Sequence, residues 1–231
     1  MTIQPGLFAI IILILEIAFL YLFSRLITNS LAKLFYHHIH NSKIVINIFA
    51  VILLPGTIIH ELAHILIAGV LLVPVGEIDF LPEIHEKGVR LGTAEIGQTD
   101  IFRSAIIGVA PVIVGLFIMI SLLWLNLLNF KDPTFLILGK ILLGYLIFVI
   151  ANTMFSSRKD LEGVGAVVLF IVLILVVLYF FRINQPFNWA IQFLDNNQDF
   201  LNKVATFLIL PILIDIGILL FIKLQYSLSR R

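Results

Sequence analysis

The segment His60-Glu61-Leu62-Ala63-His64 combines two imidazoles and a carboxylate at a spacing that suits metal chemistry. On a helix, residues i and i+4 share a face, so His60 and His64 can direct ring nitrogens at one metal ion. Glu61 would then lie close enough to accept a proton from a water molecule that the metal activates. The spacing predicts a hydrolytic site with zinc as cofactor and Glu61 as catalytic base.

A catalytic zinc ion usually takes three protein ligands, so two imidazoles leave this site one ligand short. The chain contains no cysteine, and the third ligand must therefore be a carboxylate or another histidine. We favour Asp160, because it follows a polar, serine-rich break between apolar runs, and such a break is tolerated at membrane depth where it lines a cavity. The sequence leaves the following alternatives open: Glu16, His85, Glu95, Asp100, Glu162 and Asp215.

The composition of the chain is that of a membrane protein. Hydrophobic residues make up 61% of the 231 positions and charged residues only 13%. Several apolar runs approach the roughly 20 residues that cross a hydrocarbon core. We predict an all-α polytopic membrane protein with one membrane-embedded domain over residues 1–231. Its six predicted transmembrane helices lie near 7–26, 44–73, 102–128, 135–153, 163–181 and 204–224.

Two departures from this apolar pattern are informative. Residues 74–100, between the second and third predicted helices, alternate polar and apolar side chains around a turn-like segment, which predicts a β-hairpin or short β-ribbon. Pro55 and Gly56 stand just before His60 inside the second predicted helix, where they favour a kink or a break.

Charge restricts the partners and the orientation. The formal net charge is +1 and no basic tract occurs, so nucleic acid is not an expected partner and the lipid bilayer is. Six alternating spans would place both ends of the chain on one side of the membrane. Lys and Arg are divided almost evenly between the two sides and favour a cytoplasmic location of the ends only slightly.

The motifs together resemble the site-2 protease family of intramembrane zinc metalloproteases, the M50 type. In that family the motif HExxHxxxA lies on a membrane helix, and Ala68 completes it here. A distant aspartate follows an asparagine by eight residues, as Asp160 follows Asn152. The run Gly108-Val109-Ala110-Pro111 is similar to the family's Gly-Pro element, and the order of these features is kept over roughly residues 45–170. The chain departs from the pattern at Phe155-Ser156-Ser157, where the family has prolines, and at Asp160-Leu161-Glu162-Gly163, where it has Asp-Gly.

The resemblance implies an activity, a substrate class and a location. It implies a zinc endopeptidase in which His60, His64 and Asp160 hold the metal, Glu61 is catalytic, and Glu162 is the rival ligand. The substrate would be a single-pass membrane protein or a short hydrophobic membrane peptide. The β-ribbon would hold the unwound segment of this substrate as an added strand. Asn152 would donate to the substrate backbone or the oxyanion, or would merely satisfy a kinked helix. The expected location is the plasma membrane of a prokaryote.

A different class of function remains open on the sequence alone. A membrane metal-binding or ion-transport protein could use His60, Glu61 and His64 as ligands without hydrolysing any bond.

Overall fold

The computed structural model describes residues 4–79, 83–85, 88–90, 93–124, 133–155, 160 and 162–229. Seven helices lie within these ranges, and six of them are long and apolar enough to cross a membrane. This confirms the prediction of an all-α polytopic membrane protein. The helices are α1 (Pro5–Ile39), α2 (Ser42–Val70), α3 (Ile101–Trp124), α4 (Pro133–Thr153), α5 (Glu162–Phe180), α6 (Gln185–Asn196) and α7 (Gln198–Ser229).

The predicted β-ribbon is present between α2 and α3. Its strands are β1 (Val75–Asp79), β2 (Glu83–His85), β3 (Gly88–Arg90) and β4 (Thr93–Ile96). Strand β1 pairs antiparallel with β4, and β2 pairs antiparallel with β3. Val75 and Ile96, at the base of the ribbon, pack against a small cluster around Ala68 of α2 and Ile107 of α3. The ribbon is thereby attached to the two helices that carry the histidines and the Gly-Pro element.

The first and last membrane helices extend well beyond their predicted apolar cores. Helix α1 continues to Ile39, well past the predicted span near 7–26, and is capped by His40, which has a left-handed φ of 53°. Helix α7 begins at Gln198, before the predicted span near 204–224, and α6 lies between the fifth and sixth predicted spans. Polar side chains end an apolar run without ending the helix, because the helix is held by backbone hydrogen bonds and the polar side chains can extend into water.

Of the kink or break expected at Pro55, the break does not occur, since α2 is helical from Ser42 through Val70. The interruption lies instead between α4 and α5. Three contacts along α3 show the direction of the chain through this interruption. Gly115 lies against Met154, Gly108 lies against Asp160, and the ring of Phe102 meets that of Phe170 with centroids 5.6 Å apart. As the chain passes from α4 into α5 it therefore moves steadily towards the start of α3, so α4 and α5 point in the same direction.

Helices α1 and α7 run parallel to each other. The amide of Gly6 donates to Asp195 Oδ1 at 2.8 Å, just before α7 begins. The rings of His37 and Tyr226, near the other ends of the two helices, have centroids 6.3 Å apart. The expectation that both ends of the chain lie on one side is therefore wrong. It assumed that each helix reverses the direction of the one before, and α4 and α5 do not.

The main core lies where α1, α3, α4 and α7 meet. Leu20, Met119, Ile147 and Leu208 are among its most completely buried side chains. By contrast, most apolar side chains of α5 are exposed within the protein, from 40% at Leu175 to 79% at Phe180, as expected of a helix that faces lipid. The buried polar groups of α2 and α4 border this core.

Candidate metal centre

The motif His60-Glu61-x-x-His64 lies on the buried face of α2. His60, Glu61 and His64 are only 4%, 6% and 5% exposed. This face can approach α4 closely because Gly56 stands one turn before His60, and a Cβ at that position would collide with Thr153 and Val149. Sequence spacing and close helix packing together place two imidazoles and a carboxylate in the protein interior.

Three ligand-type atoms converge at this point. His60 Nε2 and His64 Nε2 are 3.2 Å apart, and Asp160 Oδ2 lies 3.3 Å from the first and 3.4 Å from the second. Within the described ranges, this is the one group of three such side chains that could hold a metal ion. The structure therefore brings together the three residues that the sequence proposed as ligands.

The separations of these atoms fit a tetrahedral metal site. With bonds of about 2.0–2.1 Å to nitrogen and oxygen, neighbouring ligand atoms around zinc stand about 3.3 Å apart. The three separations of 3.2, 3.3 and 3.4 Å agree with that value. The set of two imidazoles and one carboxylate also suits zinc, and it leaves a fourth position for water or substrate.

The imidazole of His64 is held by a backbone carbonyl of α3. His64 Nδ1 lies 2.9 Å from the carbonyl oxygen of Ile107, which can only accept a hydrogen bond. Nδ1 must therefore carry the proton, and Nε2 presents its lone pair to Asp160 and His60. A ring nitrogen tied to a carbonyl in this way is the usual support of a metal-binding histidine.

Pro111 explains why that carbonyl is available. In a regular helix the amide of residue 111 would donate to the oxygen of Ile107, four positions earlier, but proline has no N–H. The freed oxygen of Ile107 accepts from His64 instead. Sequence reasoning did not identify Ile107, although Pro111 marked a carbonyl that needed another donor.

Asp160 reaches the two histidines because α3 has no side chain in its way. A Cβ on Gly108 would collide with the backbone carbonyl of Asp160. The carboxyl of Asp160 is 17% exposed, more than either imidazole. In its ionised form, Asp160 would supply the negatively charged oxygen ligand that accompanies two neutral imidazoles at a zinc site.

The remaining candidates for a third ligand lie elsewhere or cannot be compared. Asp100 caps the start of α3, where its Oδ1 accepts from the amides of Phe102 and Arg103 at 3.1 and 3.0 Å. Asp100, Glu16, Glu95 and Asp215 do not join the group of converging ligand atoms. The side chains of His85 and Glu162 lie outside the described residues, so Asp160 as third ligand, with Glu162 as its rival, stays a prediction.

Asn152 is engaged within the bundle. Its Nδ2 donates to the carbonyl of Phe148 and to Asp215 Oδ1, both at 2.9 Å, and the residue is 5% exposed. Both amide protons are thereby used, so contact with a substrate through Nδ2 would require one of these bonds to break. The bonds favour the alternative in which Asn152 satisfies its own bundle.

Comparison with other proteins adds no family to this description. A scan against protein-family models gave no match, and searches of curated proteins and of solved structures gave none either.

Proposed function

We propose that this multi-pass membrane protein is a zinc-dependent intramembrane endopeptidase that cleaves a peptide bond in or near a transmembrane segment of another membrane protein. The observation that carries the proposal is the convergence of His60 Nε2, His64 Nε2 and Asp160 Oδ2 beside Glu61. The resemblance to site-2 proteases supports the same function, and with it a location in the plasma membrane of a prokaryote.

The roles of the residues follow from their chemistry. His60, His64 and Asp160 would hold the zinc ion, which when bound polarises the scissile carbonyl and makes water a better nucleophile. Glu61 accepts a proton as the water oxygen bonds to the carbonyl carbon, and it delivers that proton to the nitrogen as the C–N bond breaks. The carbonyl of Ile107 keeps the ring of His64 in the required tautomer.

Water and substrate need a way into a buried site, and the α4–α5 interruption offers one. Asp160 is the most exposed of the three metal-site side chains, and it lies at that interruption. Irregular backbone inside a membrane is tolerated where it lines a cavity that admits water. We therefore place the aqueous entrance on the Asp160 side of the site.

The β-ribbon supplies a means of presenting an unwound substrate. A peptide bond in a helix is shielded by intrahelical hydrogen bonds and must be extended before water can attack it. Strands β1 and β4 form a two-stranded pair next to the ends of α2 and α3, and a strand edge can hold an extended peptide through backbone hydrogen bonds. The ribbon would thus hold the substrate near the metal centre.

The decisive test is the Glu61→Gln variant, reconstituted in liposomes with a membrane-anchored reporter substrate. Zinc content should remain at the wild-type stoichiometry while cleavage falls by about a hundredfold to ten-thousandfold, the range for general acid–base catalysis. Glu16→Gln is the matched control, because Glu16 is also a buried glutamate of a membrane helix but lies outside the metal centre. Unchanged cleavage by the Glu61→Gln variant would refute the mechanism.

The same preparation separates the protease from a transporter. An ion-transport protein would move zinc across the liposome membrane and leave the reporter uncut, whereas the protease would cut the reporter and produce no comparable zinc flux. Zinc stoichiometry of Asp160→Ala and Glu162→Ala, measured side by side, tests the third ligand. Loss of zinc only from the Glu162 variant would show that the assignment of Asp160 is wrong.

A further inference from the structure

Helix α6 is too short to cross a membrane, yet it connects two helices that are long enough to do so. It begins at Gln185, soon after α5 ends at Phe180, and it ends at Asn196, just before α7 begins at Gln198. Its 12 residues span about 18 Å, whereas a hydrocarbon core is roughly 30 Å thick. Because both of its ends are joined to membrane helices, α6 lies close to one surface of the membrane.

One side of α6 packs on the helix bundle. Its partly buried residues recur with the spacing of a helix face, and they are Phe187, Ile191, Leu194 and Asp195. A Cβ on Gly6, at the start of α1, would collide with the backbone of Leu194. The amide of Gly6 also donates to Asp195 Oδ1 at 2.8 Å. This side of the helix is therefore covered by the start of α1.

The remaining surface of α6 is divided into two exposed sides of different chemistry. At about 3.6 residues per turn, the exposed polar residues fall on one side, and they are Gln185, Asn188, Gln192 and Asn196. The exposed apolar residues fall between this polar side and the bundle, and they are Pro186, Trp189, Ala190 and Phe193. Trp189 is 80% exposed and Phe193 is 65% exposed. The helix thus has a bundle side, a polar side and an aromatic side.

The aromatic side of α6 is continuous along the chain with apolar surface that faces lipid. Phe180, at the end of α5, and Phe200, near the start of α7, are exposed as well. Contiguous exposed apolar side chains mark a surface that contacts a partner or a membrane. Tryptophan is enriched where acyl chains meet headgroups, because its ring is apolar and its N–H can donate to polar groups. The position and the residue types both favour lipid as the partner of this side.

We propose that α6 is an interfacial helix, which lies in the plane of the membrane surface and inserts Trp189 and Phe193 between the lipid headgroups and the acyl chains. In this position the aromatic side meets lipid, the polar side meets water and the third side meets α1. Helix α6 contains no lysine or arginine, so its insertion depends on the aromatic side chains and does not require anionic lipid.

This contact with lipid is independent of the metal chemistry and sets the depth of the bundle in the membrane. The hydrogen bond between Gly6 and Asp195 ties the start of α1 to α6, and only Asn197 separates α6 from α7. A helix held at the surface therefore fixes the level at which both α1 and α7 enter the membrane.

Spin labelling of the full-length protein in phosphatidylcholine liposomes tests this orientation. The chain contains no cysteine, so each single-cysteine variant carries one nitroxide label. Labels in Trp189→Cys and Phe193→Cys should collide severalfold more often with oxygen, which concentrates in lipid, than with a water-soluble nickel chelate. Labels in Asn188→Cys and Gln192→Cys are the matched controls on the polar side, and they should show the opposite preference.

The ratio of the two collision rates also gives the depth of each label. Labels at positions 189 and 193 should lie about 5–10 Å into the boundary between headgroups and acyl chains, and anionic lipid should not change this depth. Three results would overturn the proposal. They are nickel access equal to that at positions 188 and 192, as expected of a side in water; low access of both reagents, as expected of a side covered by a second copy of the chain; and a depth near the bilayer centre.

Tryptophan fluorescence tests the same contact with the native side chain in place. The chain has two tryptophans, so Trp189 is the single emitter in the variant Trp124→Phe. Phospholipids brominated near the headgroup should quench this emission more strongly than phospholipids brominated near the chain ends, and iodide in the water should quench it only weakly. Strong quenching by iodide without quenching by brominated lipid would contradict the insertion of Trp189.

Discussion

Two polar clusters lie inside this apolar bundle, and they are organised in opposite ways. At the metal centre, three ligand-type atoms converge to within 3.2–3.4 Å, and a backbone carbonyl supports one of the rings. Between α1, α4 and α7, a second cluster of Ser24, Asn152 and Asp215 is joined by single hydrogen bonds of 2.9 Å from one helix to the next. Convergence on one point is the arrangement expected of a metal ion. Single hydrogen bonds from helix to helix suit a cluster that holds three helices together.

The backbone shows the same contrast. Around the metal centre, three special residues adapt the helices to their side chains: Gly56, Gly108 and Pro111. In the second cluster, Ser24, Asn152 and Asp215 lie on helices that are regular at those positions. A metal site needs its ligands fixed to within a fraction of an ångström, whereas a single hydrogen bond tolerates a wider range of distances and angles. Four variants test this difference, and we order them by expected effect.

The largest effect should come from His64→Ala. Removal of one of three ligands should abolish stoichiometric zinc binding, which equilibrium dialysis measures directly. In the wild-type protein, zinc at about a thousand times its Kd should add about 4 kcal/mol of stability, and chelation should remove it. The variant should show no change in Tm on adding or chelating zinc. A zinc-dependent Tm in His64→Ala would place the metal elsewhere.

Gly108→Ala should come next, because the added methyl group collides with the carbonyl of Asp160. Overpacking of this kind costs about 1–3 kcal/mol. If the backbone of Asp160 moves to avoid the methyl group, the same cost appears as a loss of zinc affinity of about five- to a hundredfold. Gly165→Ala is the matched control, since no atom lies within 4 Å of a Cβ built there. Equal zinc affinities of the two variants would show that close contact at Gly108 does not position Asp160.

Pro111→Ala should move zinc affinity and stability in opposite directions. The restored amide competes with His64 for the carbonyl of Ile107, and loss of such support typically weakens metal binding by about 10–100-fold. The metal-free helix should gain stability, because alanine is favoured over proline in a helix interior by about 3 kcal/mol. Isothermal titration with zinc and thermal unfolding of the metal-free protein measure the two effects. Pro211→Ala in α7 is the control, and it should leave zinc affinity unchanged.

Ser24→Ala should have the smallest effect and act on the second cluster alone. It removes the hydrogen bond to the backbone oxygen of Asn152, which should cost about 0.5–1.5 kcal/mol in the free energy of unfolding. Zinc affinity should stay within twofold of the wild type. A loss of zinc affinity as large as that of Gly108→Ala would mean that the two clusters are not separate.

The sequence predicted those features of the site that depend on local spacing. His60 and His64 share a helix face because they are four residues apart, and the apolar runs marked six helices of sufficient length. Asp160 could be proposed because polar residues are conspicuous in a membrane protein, although its contact with the histidines depends on the packing of α3. The alternation over residues 74–100 was sufficient to predict the ribbon.

Other features depend on tertiary packing, which hydropathy does not record. The carbonyl of Ile107 carries no side-chain signal, and Pro111 only indicates that it needs a donor. The hydropathy of α5 is the same whichever way the helix points, so its direction relative to α4 could not be predicted. The hydrogen bond of Asn152 to Asp215 could not be predicted either, because Asp215 is 63 residues away in the sequence and adjacent in the structure.

The parallel arrangement of α1 and α7 determines which compartment each end of the chain can reach. Both helices are long and apolar enough to cross a membrane, and they run in the same direction. A reporter fused before α1 and another fused after α7 should therefore face different aqueous compartments. A protease added outside sealed cells would remove one reporter and spare the other.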